Sequence, residues 1–282
     1  MRLVSYTRAG EPSWGAVVGS NIVDGPTHHG EFPTVRSVLE AESGLESIAH
    51  LAGESPTTPL DEVALLPPIA DPGRIFCVGI NYKDHMAETG RQPTDRPTIF
   101  SRFPAAQVGA GDALVAPKVS HTFDYEGELA VIIGQGGRHI GADEALGHVA
   151  GYSCFNDGSV REFQRHTSQF LPGKNFDRSG SFGPWMVTAD EIGDPTDLSL
   201  ETRLNGETLQ STTTALLIFA IPELIEYLST FTALVPGDVI ATGTPGGVGS
   251  RRDPQVWMKP GDIVEVEISG IGVLSNPIIA EA

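Results

Sequence analysis

Cysteine, positive charge and long apolar runs are all scarce in this chain of 282 residues. Its two cysteines, Cys77 and Cys154, lie far apart and form no Cys-x-x-Cys pair, so they indicate buried thiols in a reducing compartment. Lys and Arg together number 18 against 36 Asp and Glu, which gives a net charge of −18. This balance disfavours nucleic acid and anionic lipid as partners, because both are bound through clustered positive charge.

The sequence also lacks the features of a membrane or secreted protein. The longest apolar run, residues 215–221, is far shorter than the roughly 20 residues that a spanning helix needs. The first residues, Met1-Arg-Leu-Val-Ser-Tyr, have none of the charged, apolar and cleavage regions of a signal peptide. We therefore expect a soluble protein of the cytoplasm.

Short β-type segments dominate the chain after about residue 70, so the expected fold class is α+β and mainly β. Apolar runs and period-two alternation predict strands at 75–80, 129–133, 149–155, 200–204, 239–242 and 263–268. Asn205-Gly206 predicts a hairpin turn. One amphipathic helix is predicted over 214–230, and it should start or kink at Pro222.

The first 70 residues predict a separate, small α/β domain. Apolar clusters at 2–6 and 14–24 indicate a hairpin, and helical spacing of apolar residues indicates a helix at 34–52. The proline-rich stretch 55–73 is typical of a linker. The predicted domains are therefore 1–70 and 71–282.

The most informative segment runs from His121 to Ile133. Asp124, Glu126 and Glu128 alternate directly ahead of an apolar run, so a single strand would send all three side chains to one face. Carboxylates crowded at the edge of a buried core repel each other, and a hard divalent cation relieves this through oxygen ligands. A solvated strand edge has the same pattern, so the residues alone leave both interpretations open.

Two further groups can take part in chemistry. Asp157 follows a strand-like run and would complete a set of three carboxylates with Glu126 and Glu128, although Asn-Asp-Gly-Ser is also a common turn or helix cap. His85 and Glu88 lie three residues apart, so one helical turn would place them on the same side. A carboxylate there orients the imidazole as a base, while an exposed turn with an incidental charge pair is the alternative.

Donors for an anionic substrate follow in the sequence. Arg161 and Gln164 lie four and seven residues after Asp157, as on one face of a helix, and Lys174 follows a glycine turn. Each can donate to carboxylate or enolate oxygens, and each has an ordinary surface interpretation as well.

A glycine-rich segment at 241–249 follows a predicted strand. Its backbone N–H groups, with the Thr244 hydroxyl, can bind an anion, or the segment can form a flexible hairpin. It is not a Walker loop, because Gly-Lys-Ser/Thr is missing. His28 and His29 have no comparable context and are interpreted as surface residues.

Taken in order, these segments resemble the fumarylacetoacetate hydrolase family, in its bacterial type. The resemblance runs from about residue 70 to the end. Its motifs are Gly79-Ile-Asn-Tyr-x-x-His85-x-x-Glu88, Asp124-Tyr-Glu126-Gly-Glu128, Tyr152-x-x-x-Asn-Asp157-x-Ser-x-Arg161-x-x-Gln164, Gly173-Lys174-x-Phe-Asp177 and Thr242-Gly-Thr244-Pro245-Gly-Gly-Val-Gly. The resemblance implies a catalytic domain with a mixed β-sandwich roll, a smaller N-terminal domain and a homodimer.

The resemblance also implies roles for individual residues. The metal would be Mg²⁺ or Mn²⁺, and Ca²⁺ in some members, with Glu126, Glu128 and Asp157 as ligands. The catalytic residues would be His85 and Glu88, on a short lid, and Lys174. The substrate-binding residues would be Tyr82, Arg161, Gln164 and Thr244. One departure is that Ser101-Arg102-Phe103-Pro104 stands where many members have a Lys-Pro-rich pocket segment.

The implied reaction is hydrolysis of a C–C bond in an acylpyruvate or a related 2,4-dioxo acid. A bound metal would polarise the substrate, His85 oriented by Glu88 would activate water, and Lys174 would stabilise the departing enolate. Two alternatives need the same metal and enolate: decarboxylation of oxaloacetate or a similar 2-oxo diacid, and isomerisation or decarboxylation in aromatic catabolism. The sequence does not separate these three reactions. A protein without catalysis is disfavoured, because all the reactive side chains are present.

Overall fold

Short strands and a few short helices make up the computed structural model, which describes residues 1–90, 92 and 94–282. The strands are, in chain order, β1 Arg2–Arg8, β2 Glu11–Val18, β3 Asn21–Asp24, β4 Thr58–Pro59, β5 Ala64–Leu65, β6 Ile75–Gly79, β7 Thr98–Arg102, β8 Gln107–Val108, β9 Leu114–Ala116, β10 Phe123–Asp124, β11 Gly127–Ile133, β12 Val149–Asn156, β13 Ser159–Val160, β14 Gly180–Thr188, β15 Ser199–Leu204, β16 Glu207–Thr213, β17 Val239–Ala241, β18 Ile263–Ile268 and β19 Gly272–Ala280. The α-helices are α1 Gly25–His28, α2 Val35–Glu40, α3 Gly44–Ser47, α4 Lys83–Thr89, α5 Arg161–Gln164, α6 Leu171–Lys174, α7 Ala189–Ile192 and α8 Ile221–Phe231. Among the shorter 3₁₀ segments are Ala49–Gly53 and Gly249–Arg251.

One large mixed sheet organises the molecule, with the strand order β4-β3-β2-β1-β14-β12-β11-β17-β6-β7. At its centre β11 pairs antiparallel with β12 on one side and with β17 on the other, and β17 continues parallel to β6. Every residue of β11 is buried. This agrees with its unbroken apolar sequence, which is typical of a strand covered on both faces.

A second sheet, with the order β16-β15-β18-β19-β9, packs over one face of the first. Leu200 and Val266 from this sheet share a core with Leu129 and Val131 of β11, and Leu224 of α8 joins the same core. The predicted α+β, mainly β class with a sandwich-like catalytic part is therefore confirmed.

The N-terminal strands extend the large sheet instead of forming a sheet of their own. Leu3 of β1 lies opposite Met186 of β14, and Trp14 shares a core with Ile132 of β11. The predicted hairpin is present as β1 and β2, with β3 added. Hydrogen bonds thus cross the predicted boundary near residue 70, and the division into two domains stays a prediction.

The predicted helix at 34–52 is wrong in its extent, because the segment forms α2, α3 and the 3₁₀ turn Ala49–Gly53. The helix is interrupted at residues 41–43. The backbone of Gly44, which begins α3, approaches Val38 so closely that a Cβ there would lie 1.7 Å from the Val38 carbonyl oxygen. Apolar spacing alone does not register such a close approach.

Two local predictions are confirmed in detail. Leu204 pairs with Glu207 across Asn205-Gly206, and both turn residues have the positive φ angles (53° and 81°) that a type I′ turn requires. Helix α8 begins at Ile221, which places Pro222 in its first turn, where its missing N–H costs nothing. Within the described residues, no helix has the length and apolar character needed to cross a membrane.

Candidate active site

Three buried carboxylates, on Glu126, Glu128 and Asp157, converge at one end of the central strands. Each offers an oxygen atom within 4.8 Å of the others. The pairing of β11 with β12 explains the convergence: Gly127 lies opposite Asn156, so the start of one strand meets the end of the other. The Asp157 N–H donates to the Glu126 carbonyl oxygen at 2.8 Å and holds the two backbones together.

Asp124 does not join this group, although strict alternation in one strand predicted a shared face. The strand is interrupted between β10, which ends at Asp124, and β11, which begins at Gly127, so the alternation does not continue through residues 125 and 126. Asp124 instead accepts from the Arg161 Nε at 2.7 Å and from the backbone N–H groups of Gly249 and Ser250 at 2.8 and 3.0 Å.

Buried cations surround the carboxylates. The Lys174 Nζ lies 2.5 Å from Glu126 Oε2 and 2.6 Å from Asp157 Oδ2. The other oxygen of Glu126 lies 2.7 Å from Arg161 Nη1, and the other oxygen of Asp157 lies 2.5 Å from Arg102 Nη1. Burial would raise the pKa of Glu126, but Arg161 and Lys174 outweigh it and hold that pKa well below its ordinary value.

Glu128 is the carboxylate that the protein does not neutralise. Among the described residues it makes no ion pair, and its Oε2 accepts the Gly243 N–H at 2.8 Å. Burial, with the negative charges of Asp157 and Glu126 nearby, raises the pKa of Glu128 well above its ordinary value. One negative charge of this region lacks a partner, because there are four buried acids and three buried basic side chains. The acids are Asp124, Glu126, Glu128 and Asp157, and the basic residues are Arg102, Arg161 and Lys174.

The donor set therefore fits a hard divalent cation. Glu126, Glu128 and Asp157 supply only carboxylate oxygens, which Mg²⁺, Mn²⁺ and Ca²⁺ prefer. A cation bound between these carboxylates would also compensate the negative charge of Glu128, which has no cationic partner among the described residues. The residues predicted as metal ligands are thus brought together in a way that suits that role.

His85 and Glu88 form the predicted pair on α4. The His85 Nδ1 lies 3.0 Å from Glu88 Oε2, and the other oxygen of Glu88 accepts the Gly247 N–H at 3.0 Å. Burial would raise the pKa of Glu88, but the bonds from His85 and Gly247 outweigh it and lower that pKa. An ionised Glu88 accepts from Nδ1–H and leaves the Nε2 lone pair of His85 free to take a proton.

The glycine-rich loop after β17 binds anions, but they are carboxylates of the protein itself. The donor and acceptor pairs are Gly243 with Glu128 (2.8 Å), Gly246 with Asp84 (3.2 Å), Gly247 with Glu88 (3.0 Å) and Gly249 with Asp124 (2.8 Å). Gly243 and Gly247 have positive φ angles of 107° and 97°, which side chains rarely allow. These N–H groups are therefore not free for a substrate anion, and the loop instead connects the metal ligands to the His85–Glu88 pair.

Most of the predicted site residues line one cavity of about 530 Å³. They are His85, Glu126, Glu128, Asp157, Arg161, Gln164, Lys174 and Thr244. Glu88 lies behind His85. Tyr82 is the exception: it is completely buried outside this lining, its backbone bridges to Leu217, and its hydroxyl has no hydrogen-bond partner in the described structure. The structure thus gives no support to the predicted substrate contact of Tyr82.

Three arginines of the site were not predicted. Arg102 is buried against Asp157, a contact across 55 residues that no local pattern indicates. Arg165 and Arg251 line the cavity near its exposed side, and neither side chain has a hydrogen bond or ion pair within the described residues. The spacing of Arg165, four residues after Arg161, was a usable signal, since it continues the same helix face.

Residues 74–279 match the family model described as fumarylacetoacetate (FAA) hydrolase C-terminal. The human protein oxaloacetate tautomerase FAHD2A, mitochondrial, is 42% identical over 270 residues, which cover 94% of this chain and 84% of that protein. Oxaloacetate tautomerase YisK from Bacillus subtilis (strain 168) is 43% identical over 223 residues, covering 78% of this chain and 74% of that protein.

Two solved structures are similar over the whole chain. Fumarylacetoacetate hydrolase from the psychrophile Exiguobacterium antarcticum has a TM-score of 0.84 at 34% identity, with 100% of both chains covered. Maleylpyruvate hydrolase from Sphingobium sp. SYK-6, in complex with manganese(II) ion and pyruvate, has a TM-score of 0.84 at 29% identity with the same coverage. The likeness therefore includes the N-terminal residues as well as those matched by the family model.

Proposed function

This chain belongs to the fumarylacetoacetate hydrolase family, and we propose that it is a metal-dependent tautomerase of a 2-oxo dicarboxylic acid, with oxaloacetate as the first candidate substrate. The observation that carries the proposal is the single cavity lined by the carboxylates of Glu126, Glu128 and Asp157 together with Lys174 and His85. Proton transfer next to a stabilised enolate is the simplest chemistry that uses all of these groups.

The residues divide the work of keto–enol exchange. Glu126, Glu128 and Asp157 would hold Mg²⁺ or Mn²⁺, which would supply positive charge for an enolate. His85, oriented by Glu88, removes the proton from the carbon beside the 2-oxo group; the C–H electron pair becomes the C=C bond and the carbonyl pair moves to oxygen. The buried Lys174 ammonium adds positive charge at that oxygen. A proton from solvent on that oxygen would complete the enol. In ketonisation the enol O–H gives its proton back to solvent and His85 returns a proton to carbon, so no bond between carbons breaks.

The relatives favour this reaction over C–C hydrolysis. Proteins named oxaloacetate tautomerase match 93% or more of this chain at about 40% identity in the human and bovine cases. The predicted alternative, with oxaloacetate as substrate, is thereby supported, although the expected decarboxylation is replaced by tautomerisation. The hydrolysis of acylpyruvates stays a second candidate, because maleylpyruvate hydrolase shares the fold and the His85–Glu88 pair also suits water activation.

The charge at the mouth of the cavity supports a substrate with two carboxylates. The acidic residues that line the cavity are the three candidate metal ligands, and the carboxylates of Glu126 and Asp157 are already paired with buried basic side chains. Burial and the charges of Arg161 and Arg251 lower the pKa of Arg165. Arg161 is paired with Asp124 and Glu126, whereas Arg165 and Arg251 make no ion pair within the described residues. In a chain of net charge −18, such a local positive surface attracts a dianion.

The test is the ketonisation of freshly dissolved enol-oxaloacetate, followed by the decay of the ultraviolet absorbance of the enol. Protein stripped with EDTA and reloaded with Mg²⁺ should accelerate this decay above the rate without protein. Proton NMR of these samples and of parallel samples with acetylpyruvate separates the candidates, since decarboxylation of oxaloacetate releases pyruvate and hydrolysis of acetylpyruvate releases acetate and pyruvate. Faster acetate or pyruvate formation than ketonisation would remove the tautomerase proposal. We also propose the homodimer that the resemblance implies, and light scattering of the purified protein tests it.

A further inference from the structure

Two histidines and a carboxylate meet on the surface of the N-terminal segment, apart from the residues that line the catalytic cavity. His28, His50 and Glu54 each offer a ligand atom within 4.8 Å of the others. His28 is the last residue of α1, whereas His50 and Glu54 lie at the two ends of the 3₁₀ turn Ala49–Gly53. The fold thus joins residues that the sequence separates by more than twenty positions.

The hydrogen bonds of these imidazoles fix which nitrogen is free. The His50 Nδ1 lies 3.1 Å from the Ser47 carbonyl oxygen, which can only accept, so Nδ1 carries the hydrogen and Nε2 presents a lone pair. A histidine that ligates a metal typically donates its other N–H to a carbonyl or a carboxylate in this way.

His29 repeats the arrangement beside the cluster. Its Nδ1 lies 3.0 Å from Glu31 Oε1, and its ring centre lies 5.1 Å from that of His50. The His29 Nε2 is buried and has no hydrogen-bond partner in the described structure. A buried imidazole nitrogen without a partner is costly unless something binds to it.

We propose that His28, His50 and Glu54 bind a divalent transition-metal ion of the Zn²⁺ type, with the His29 ring packed beside the site. Imidazole and carboxylate together suit Zn²⁺, Ni²⁺ or Cu²⁺, whereas the all-carboxylate set of the catalytic cavity suits Mg²⁺ or Mn²⁺. The bound ion would tie the end of α1 to the turn Ala49–Gly53 and so stabilise the N-terminal segment. This site is independent of the proposed tautomerase reaction.

Calorimetric titration of the metal-stripped full-length protein with Zn²⁺ tests the site. The catalytic carboxylates can also take up Zn²⁺, so the comparison is made between variants. His50→Ala and Glu54→Gln should each lose one equivalent of Zn²⁺ relative to the unsubstituted protein, while the exposed His121→Ala serves as the matched control and should keep it. Equal stoichiometry in His50→Ala and the unsubstituted protein would overturn the proposal, and so would an equal loss in His121→Ala.

A spectroscopic readout separates binding from folding. Co²⁺ loaded into the unsubstituted protein should give the visible absorption of nitrogen-bound Co²⁺, and His50→Ala should lose it at an unchanged circular dichroism spectrum. Zn²⁺ should also raise the melting temperature of the unsubstituted protein more than that of His50→Ala, because an ion that binds only the folded state stabilises it. A Co²⁺ spectrum that persists in His50→Ala would refute the assignment. Ketonisation with Mg²⁺ should be the same in both proteins, so a failure here leaves the proposed function untouched.

Discussion

Replacing Arg102 should weaken both the fold and the metal site, because this side chain is completely buried against a candidate ligand. Its Nη1 donates to Asp157 Oδ1 at 2.5 Å and to the Gly158 carbonyl oxygen at 2.7 Å. Its Nη2 donates to Ser179 Oγ at 2.8 Å and approaches the Ala106 carbonyl oxygen at 3.4 Å. One guanidinium thus joins three chain segments, at Ala106, Asp157–Gly158 and Ser179.

The expected loss for Arg102→Met is large. Removing one partner of a buried ion pair typically costs about 3–5 kcal/mol, because the other charge is left buried without compensation. Since the total stability of a folded protein is about 5–15 kcal/mol, the change removes a substantial fraction of it. Arg102→Lys keeps the charge but cannot make the forked set of bonds, so its loss should be intermediate.

Urea unfolding followed by circular dichroism measures the first effect, and the Mg²⁺ concentration for half-maximal ketonisation measures the second. Arg178→Gln is the matched control, because its ion pair with Asp112 is about half exposed and should contribute only about 0–1 kcal/mol. If Arg102→Met lowers the free energy of unfolding by less than about 1 kcal/mol, no more than the exposed control pair, Arg102 does not position Asp157.

The remaining predictions concern the base, the metal, the cavity mouth and one helix cap. His85→Ala should lower ketonisation by about 10²–10⁴-fold while Mg²⁺ binding measured by calorimetry is kept; undiminished turnover would exclude His85 as the base. EDTA should abolish turnover and Mg²⁺ should restore it, so metal-independent turnover would contradict the role of the carboxylates. Arg165→Gln with Arg251→Gln should weaken binding of oxaloacetate roughly three- to tenfold more than binding of 2-oxobutyrate, which lacks the second carboxylate. Arg8→Gln with Arg178→Gln is the charge-matched control, and equal losses for both ligands in the cavity variant would refute the proposed contact. Asp24→Asn should cost about 1 kcal/mol of stability, because an amide nitrogen cannot replace the carboxylate oxygen that accepts from Tyr6 and Ser13, while the remaining oxygen can still cap α1. Burial raises the pKa of Asp24, but its hydrogen bonds outweigh burial and lower that pKa below its ordinary value of 3.8. The ionised carboxylate therefore stabilises the fold fully above that pH, and this stabilisation is lost as the pH falls through the lowered pKa. A stability loss in Asp24→Asn that is equal at every pH would contradict this cause.

Local sequence patterns predicted the elements that depend on neighbouring residues. The Asn205-Gly206 turn and the start of α8 at Pro222 follow from backbone preferences of the residues themselves. The convergence of Glu126, Glu128 and Asp157 could be predicted because the acids lie at the ends of two short apolar strands, β11 and β12. The helix at 34–52 failed because its interruption depends on the contact of Gly44 with Val38, a packing event that spacing does not record.

Contacts between segments far apart in the sequence could not be predicted for the same physical reason, because local patterns do not record packing. The pairing of Arg102 with Asp157 and the meeting of His28 with His50 each require the folded sheet to bring two segments together. A charged residue shows the same letter whether it is solvated or buried against a partner.

The glycine-rich loop shows how far the backbone determines the chemistry of this site. Two of its N–H groups, a few residues apart in one short segment, hold Glu128, a candidate metal ligand, and Glu88, the partner of the proposed base His85. The distance between the candidate metal ligand and the proposed base therefore depends on the loop backbone, whose conformation needs a positive φ at Gly243 and Gly247. A side chain at Gly247 would place its Cβ 2.3 Å from the Leu209 carbonyl oxygen and force the loop to move. Such a movement would shift Glu88 relative to Glu128 without touching either residue, so the spacing of base and metal depends on glycine as much as on the acids.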